Sequence, residues 1–252
     1  MSYKILYLVL DHHTVKKRSL ACQSTWMQDI ASTSDIVFIG DPRMPNSING
    51  FEVYKPIKDE PLTCRDNITE KMVLSFEFIL KKEWDFLVRI DVDAYCNIKS
   101  LNSFLDLQNR DHLLYAGQGI HFLNKCGPLY LSNVGDSLPP SQYEYYYAQG
   151  GCYVLSRKSL EKSFPHMFFP APALDWAEDL MVGVSMEKAG VTLNDRPDLF
   201  NSGYKGKGWP GMGTRRHTIK EHIDMINSGY ISTHTLNSKQ IHLIHNALCM
   251  QS

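Results

Sequence analysis

The sequence lacks long hydrophobic runs and has almost no net charge. Its apolar stretches are short, such as ILYLVL at residues 5–10, whereas a membrane helix needs about 20 apolar residues. The formal net charge is -1 over 252 residues, so we expect no general electrostatic attraction to nucleic acid or acidic membranes. The first residues do not have the charged start and apolar stretch of a signal peptide, which favours a cytoplasmic location.

Closely spaced cysteine pairs are also missing. None of the six cysteines has the CxxC spacing of a zinc knuckle or a redox pair. Without a signal peptide we expect free thiols, with disulfides as the alternative for a lumenal protein. The composition, 43% hydrophobic and 21% charged residues, is that of an ordinary folded protein with a substantial core.

Apolar strands alternate with amphipathic helices in the first half of the chain. Strands are predicted at residues 4–10, 35–41, 84–90, 112–117 and 151–156. Helices are predicted from Asn67, from Asp175 to Gly190, and around residues 219–226. Residues 42–65 and 202–213 are rich in turn-forming residues and are predicted to be loops. This alternation indicates an α/β fold, in which ligands bind at the carboxyl ends of strands.

Asp91 and Asp93 follow the third predicted strand, in the sequence RIDVDAY. In an extended segment, residues i and i+2 project to the same side, so both carboxylates can face one ligand. Neighbouring carboxylates repel each other unless a cation lies near them, and oxygen ligands suit Mn²⁺ or Mg²⁺. Taken alone, Asp-x-Asp is more often a polar turn that caps Asn97 and the next helix.

Three later segments contain residues that could take part in binding or catalysis. Gly150 and Gly151 stand directly before a predicted strand and permit close approach of the backbone to a ligand. Glu178 and Asp179 begin a predicted helix, where acids also stabilise the helix dipole. His234 lies in a short β-like run. Each feature has an ordinary structural explanation when it is considered by itself.

The order of these motifs resembles the family-31 type of glycosyltransferase. That family includes the Fringe proteins, the β-1,3-galactosyl- and N-acetylglucosaminyltransferases and the core 1 galactosyltransferase. The resemblance runs from about residue 4 to 236, and it includes STWMQD at 24–29, GGCYVLSRKSLEK from Gly150 and the EDxxxG motif from Glu178. Two positions depart from the pattern: Val92 replaces the middle acid of Asp-Asp-Asp, and STH replaces SFH.

The resemblance implies a single GT-A-type domain over residues 1–252, with a Rossmann-like mixed sheet flanked by helices. Residues 1–98 are expected to bind nucleotide and residues 99–252 the acceptor. The implied activity is inverting transfer of a sugar from a UDP-sugar, with Mn²⁺ or Mg²⁺, to a glycan, glycopeptide or glycolipid hydroxyl through a β-1,3 linkage. A Golgi-lumenal location is expected instead of a cytoplasmic one if the sequence is a piece of a longer protein.

The resemblance also assigns roles to individual residues. Asp179 is the expected general base, with Glu178 as the alternative. The expected metal ligands are Asp93, His234 and Asp91. The expected nucleotide-sugar contacts are Arg18, Asp41, Lys71, Asp91, Val92, Gly150 and Gly151. Trp176 and Trp209 are the expected acceptor contacts.

Two other functions fit parts of the pattern. Haloacid-dehalogenase-like phosphatases also carry Asp-x-Asp after an apolar strand, but usually the first strand, and usually with Thr or Val where this chain has Tyr95. A catalytically inactive carbohydrate-binding relative would keep the fold without the chemistry. Metal-dependent turnover of a UDP-sugar distinguishes these alternatives from a transferase.

Overall fold

The computed structural model describes residues 3–11, 15–40, 42–48, 50–56, 68–123, 144–167, 178–205 and 215–250. Within them the strands are β1 (Ile5–Leu10), β2 (Asp35–Ile39), β3 (Ser47–Ile48), β4 (Phe51–Tyr54), β5 (Phe86–Asp91), β6 (Tyr95–Cys96), β7 (Tyr115–Leu123), β8 (Glu144–Ser156), β9 (Asn194–Asp195), β10 (Phe200–Asn201), β11 (Tyr204–Lys205), β12 (Arg215–Arg216) and β13 (Ser232–Thr233). The helices are α1 (Lys16–Gln23), α2 (Ile68–Ile79), α3 (Ile98–Asp106), α4 (Arg157–Ser163), α5 (Glu178–Lys188), α6 (Ile219–Asn227) and α7 (Ser238–Cys249).

An eight-stranded mixed sheet is the centre of the fold. Its strand order is β3-β4-β2-β1-β5-β8-β7-β9. β1 runs parallel to β2 and β5, whereas β8 runs antiparallel to β5 and β7. A smaller sheet has the order β10-β13-β6 and contacts β8 through β10 and β13. The mixed α/β architecture expected from the sequence is therefore confirmed.

Both faces of the main sheet are buried, and β1 shows how. Leu6 and Leu8 belong to the core on the side of α2 and α5, whereas Tyr7 and Val9 belong to the core that includes residues of α1, α3, α6 and α7. A strand buried on both faces carries apolar residues at successive positions. This explains the nearly continuous apolar sequence of β1.

Two expectations about local structure are wrong. Residues 42–65 and 202–213, both predicted to be loops, contain short strands: β3 and β4, which extend one edge of the main sheet, and β11. Gly150 and Gly151, predicted to precede a strand, lie inside β8, which begins at Glu144. Glycine weakens strand propensity, so the sequence pattern placed the start of this strand too late. A glycine inside a strand often marks close approach by another group, and here it does.

Other predicted elements are confirmed. α2 and α6 occupy the expected segments, and α5 begins at Glu178. Gly190 closes α5 in the left-handed conformation at φ 67°, and the Val191 N–H donates to the Met186 carbonyl at 2.8 Å. Three cysteines in the described residues, Cys22, Cys96 and Cys152, are buried free thiols. Two of the other three cysteines and the Asn67 cap lie outside the described residues.

Candidate active site

Asp91 and Asp93 lie where β5 ends, with one residue between them. Val92 is buried in the hydrophobic core, its N–H donates to the Leu10 carbonyl at 3.2 Å, and its carbonyl accepts from the Cys22 thiol at 3.3 Å. Val92 is buried, and the partly exposed Asp91 and Asp93 flank it in a turn in which the Ala94 N–H donates to the Asp91 carbonyl at 3.1 Å. This burial accounts for an apolar residue in the middle of the motif.

His234 reaches the aspartates because two very short strands pair. β13 runs antiparallel to β6 with Thr233 opposite Tyr95, and the Leu236 N–H donates to the Asp93 carbonyl at 2.8 Å. His234 Nε2 then lies 2.8 Å from Asp93 Oδ1 and 3.3 Å from Asp91 Oδ2. One ligand atom from each of Asp91, Asp93 and His234 lies within 4.8 Å of the others. We call these three residues the triad cluster.

The donor types of the triad cluster fit a divalent cation. Two carboxylates and one imidazole are ligands that Mn²⁺ accepts. Arg18, on α1, approaches the other side of Asp93, with Nη1 3.5 Å from Oδ2. The Arg18 guanidinium thus adds a positive charge beside the cluster.

The pKa shifts of His234 and Asp93 show that the triad cluster favours a positive charge. Burial works to lower the pKa of His234, but hydrogen bonds to Asp91 and Asp93 raise it to about 10. Burial works to raise the pKa of Asp93, but the hydrogen bond and charge of His234 hold it below its usual value. The imidazolium therefore supplies the cation that two adjacent carboxylates need. Metal ligation requires neutral imidazole, so a bound metal displaces that proton.

Glu178 and Asp179, in the first turn of α5, have different surroundings. Glu178 is 3% exposed and accepts a hydrogen bond from Arg89 Nη2. Asp179 is only partly buried, and its carboxylate accepts from the N–H groups of Gly150 at 3.1 Å and Leu180 at 3.0 Å. Glu178 is thus paired with a buried cation, whereas Asp179 is held by backbone donors and remains partly accessible.

Both acids bind protons more tightly than usual. Burial raises the pKa of Glu178 to about 8 against the opposing charge of Arg89, and the charges of Asp179 and Asp91 add to the rise. Burial also raises the pKa of Asp179, although Arg89 and the Gly150 N–H oppose it. A carboxylate whose pKa lies closer to neutrality is a stronger general base.

The glycine pair is the point where β8 approaches these groups. Ile90 of β5 pairs with Cys152 of β8, so the next position places Gly151 across from Asp91. A Cβ added at Gly151 would lie 2.5 Å from the Cγ and Nδ1 atoms of His234. A Cβ added at Gly150 would meet Glu178 Oε1 at 3.2 Å and Asp179 Oδ2 at 3.3 Å. Gly151 therefore makes room for His234, and Gly150 makes room for the two acids.

We expect Gly151→Ala to weaken Mn²⁺ binding by about 10-fold or more. The new methyl group would overlap the Cγ and Nδ1 atoms of His234, so the imidazole ring must move. Electron paramagnetic resonance of free Mn²⁺ measures this directly. Gly150→Ala is the matched control, since its milder contacts fall on the acid pair and not on the triad cluster. Equal Mn²⁺ affinity in Gly151→Ala and the unaltered protein would contradict this placement of His234.

Two site residues were missed by sequence reasoning. Arg89 is buried in β5, and its Nη1 lies 2.8 Å from Asp91 Oδ1. Gln149 Nε2 lies 3.3 Å from His234 Nδ1, and Gln149 Oε1 accepts from the Gly151 N–H at 3.2 Å. The available signals were a charge inside the apolar run FLVRI and a polar residue next to the glycine pair.

The remaining predicted site residues are not brought to this cluster by any described contact. Lys71 is 5% exposed in the first turns of α2 and stays a prediction. Asp41, Trp176 and Trp209 lie outside the described residues, as do residues 206–213 of the segment predicted to be a loop at 202–213.

Comparison with protein families places this geometry in context. The sequence model of the Galactosyltransferase family matches residues 65–197, just over half of the chain. The chain belongs to the galactosyltransferase family. The matched segment contains α2, Asp91, Asp93, the glycine pair and the acid pair, whereas Arg18 and His234 lie outside it. The resemblance drawn from the motif order is confirmed. No curated protein sequence matches the chain.

Solved structures similar to this member of the galactosyltransferase family are distant in sequence. They include a glycosyltransferase involved in glycosylating the major capsid of PBCV-1 (TM-score 0.48, 14% identity, covering 95% of this chain and 98% of that one). WbbM, a bifunctional glycosyltransferase, gives TM-score 0.48 and 10% identity over 97% of this chain and 50% of that one. S. aureus TarS gives TM-score 0.42 and 15% identity over 74% of this chain. The match covers only 34% of the length of TarS.

The helices of the described residues do not include a membrane span. None of them is both long enough and apolar enough to cross a bilayer.

Proposed function

We propose that the protein transfers a sugar from a UDP-sugar to an acceptor hydroxyl, with Mn²⁺ or Mg²⁺ and with inversion at the anomeric carbon. The proposed product linkage is β-1,3, and the proposed acceptor is a glycan, glycopeptide or glycolipid. One observation carries the proposal: in a chain of the galactosyltransferase family, a cluster fit for a metal and a partly accessible acid lie on either side of the Gly150–Gly151 pair.

The donor end is proposed to lie at the triad cluster. Asp93 and His234 would be direct ligands of the cation, with Asp91 as a third ligand or a partner of the donor ribose or sugar. A bound divalent cation would stabilise the negative charge that grows on the diphosphate leaving group. Arg18, beside Asp93, adds positive charge for the same phosphates.

The acceptor end is proposed to lie at Asp179. As the acceptor hydroxyl attacks, Asp179 takes its proton, and direct attack by one nucleophile inverts the anomeric carbon. Glu178 is the weaker candidate, because its carboxylate is buried and faces Arg89. An α-linked donor would therefore yield a β-linked product.

The division into two halves also remains a proposal. Residues 1–98 carry β1, β2, β5 and the Asp-x-Asp motif, and we assign them to the nucleotide. Residues 99–252 carry the acid pair and are assigned to the acceptor. Asp41 and Lys71 are proposed nucleotide contacts, and Trp176 and Trp209 are proposed acceptor contacts.

The proposal is tested by incubating the protein with a panel of UDP-sugars and Mn²⁺ and measuring UDP release. We expect one donor to be hydrolysed slowly in water, and faster when a suitable sugar acceptor is added. Removing the metal with EDTA should reduce release to the background rate, because the leaving diphosphate then lacks its counter-charge. The anomeric configuration of the product, read by NMR, tests inversion.

The same assay separates the alternatives. Metal-dependent binding of a UDP-sugar without turnover would indicate an inactive relative. Hydrolysis of phosphate esters without any use of UDP-sugars would indicate a phosphatase, with Asp91 as nucleophile. The geometry disfavours the phosphatase, because both Asp91 oxygens already face cationic groups, Oδ1 towards Arg89 and Oδ2 towards His234.

A further inference from the structure

Arg89 is a charged residue within an otherwise apolar strand. Its side chain is 1% exposed, and β5 places it between Leu8 of β1 and Tyr153 of β8. The guanidinium carbon lies 5.7 Å from the centre of the Tyr153 ring. A charge buried this deeply is costly unless other charges pair with it. The identity of those partners therefore indicates why an arginine is present here.

The Arg89 guanidinium joins the end of β5 to the beginning of α5. Nη1 lies 2.8 Å from Asp91 Oδ1, and Nη2 donates to Glu178 Oε1. Asp91 belongs to the triad cluster, and Glu178 immediately precedes Asp179. The guanidinium therefore places one buried positive charge between the two carboxylates, hydrogen-bonded to Glu178 and ion-paired with Asp91 without hydrogen-bond alignment.

Stability alone does not account for this bridge. Apolar side chains of similar volume often replace a buried ion pair without loss of stability. The orientation of Asp179, by contrast, depends on where α5 begins, since its carboxylate is held by the N–H groups of Gly150 and Leu180. The Arg89–Glu178 pair ties that first turn of α5 to β5, and thus to Asp91.

We propose that Arg89 is a positioning residue that sets the separation between Asp179 and the triad cluster. The inference rests on the proposed transferase function, in which Asp179 is the base and the cluster holds the donor. The carboxylates paired with Arg89 are Asp91 and Glu178 and not Asp93, the proposed direct ligand, so we expect Arg89 to affect turnover of bound donor more than the binding of donor or metal. A displacement of about 1 Å between reacting groups costs about 100-fold in rate.

Arg89→Lys tests this inference, because lysine keeps the charge but has one terminal nitrogen in place of the two that face Asp91 and Glu178. With the active donor we expect kcat to fall by about 10- to 100-fold. The donor KM and the Mn²⁺ dissociation constant, measured by electron paramagnetic resonance, should stay within about threefold of the unaltered values. Arg157→Lys is the matched control: Arg157 is bonded to Glu161, Lys82 and Leu80, away from this site, and should leave kcat unchanged.

A second variant decides the matter if Arg89→Lys does not fold. Arg89→Met combined with Glu178→Met removes both charges of the pair and leaves a packed apolar contact. We expect its kcat per Mn²⁺-binding site to fall at least as far as that of Arg89→Lys. An unchanged kcat per site, or a loss confined to donor KM or Mn²⁺ affinity, would overturn the positioning role. Failure of the proposed function is seen separately, as absence of turnover in the unaltered protein with every donor, and it would overturn this inference too.

Discussion

Asp179→Asn is expected to lower kcat by about 1,000-fold while donor and metal binding persist, because asparagine cannot accept the acceptor's proton. Asparagine is similar in size to aspartate and retains one oxygen for the Gly150 N–H, so the first turn of α5 should keep its place. The measurement is steady-state kinetics with saturating acceptor, together with Mn²⁺ binding followed by electron paramagnetic resonance. Loss of kcat with little change in Mn²⁺ affinity identifies a residue that acts in the chemical step.

Two other acid-to-amide variants make this result specific. Glu178→Gln keeps an oxygen for Arg89 and should reduce kcat by no more than about 10-fold, since Glu178 is not the proton acceptor. Asp111→Asn alters an exposed aspartate remote from the site and should have no effect. If Glu178→Gln causes the large loss and Asp179→Asn the small one, the roles of the two acids are reversed.

The pH dependence of kcat gives an independent check on the same residue. A general base must be deprotonated, so activity is lost as the pH falls through the pKa of Asp179. Burial raises that pKa, so the acid limb should lie above the range of an ordinary aspartate. Asp179→Asn should abolish this limb in the residual activity, whereas Asp111→Asn should leave it unchanged.

The sequence was sufficient where local rules decide the outcome. The sequence predicted that the Asp91 and Asp93 carboxylates face one site, and they do, although a turn after β5 and not strand alternation brings them there. Acidic residues at a helix start and a glycine at its end located α5 correctly. The motif order then placed these residues in one family.

Long-range contacts set the limit of what the sequence predicted. His234 meets Asp93 only because two-residue strands pair across 138 positions, Tyr95 to Thr233, and strands this short leave little periodic signal. Arg89 looked like an interruption of an apolar strand, since its partner Glu178 lies 89 positions away. β8 was predicted to start late because glycine opposes strand propensity, whereas here it makes room for His234.

Asp93→Ala is expected to weaken Mn²⁺ binding by at least about 100-fold, because a lost ligand costs more than a lost partner of a ligand. His234 and Asp91 would then be the only described ligands left in the triad cluster. Turnover of UDP-sugar should fall to the level seen with EDTA. Electron paramagnetic resonance reads the loss of metal independently of activity, and circular dichroism shows whether the fold is retained.

Because Asp93 pairs with His234, variants of these two residues can distinguish a metal site from a structural ion pair. A merely structural ion pair between Asp93 and His234 predicts lower stability of the metal-free protein with no selective loss of Mn²⁺ affinity. A metal site predicts that Asp93→Ala and His234→Ala each abolish binding, and that the double variant is no worse than either, because the effects of residues acting as one unit are not additive. Asp111→Ala, which removes an exposed carboxylate, should bind Mn²⁺ normally. Normal Mn²⁺ binding in both Asp93→Ala and His234→Ala would place the metal elsewhere and remove the basis for a metal-dependent transferase at this cluster.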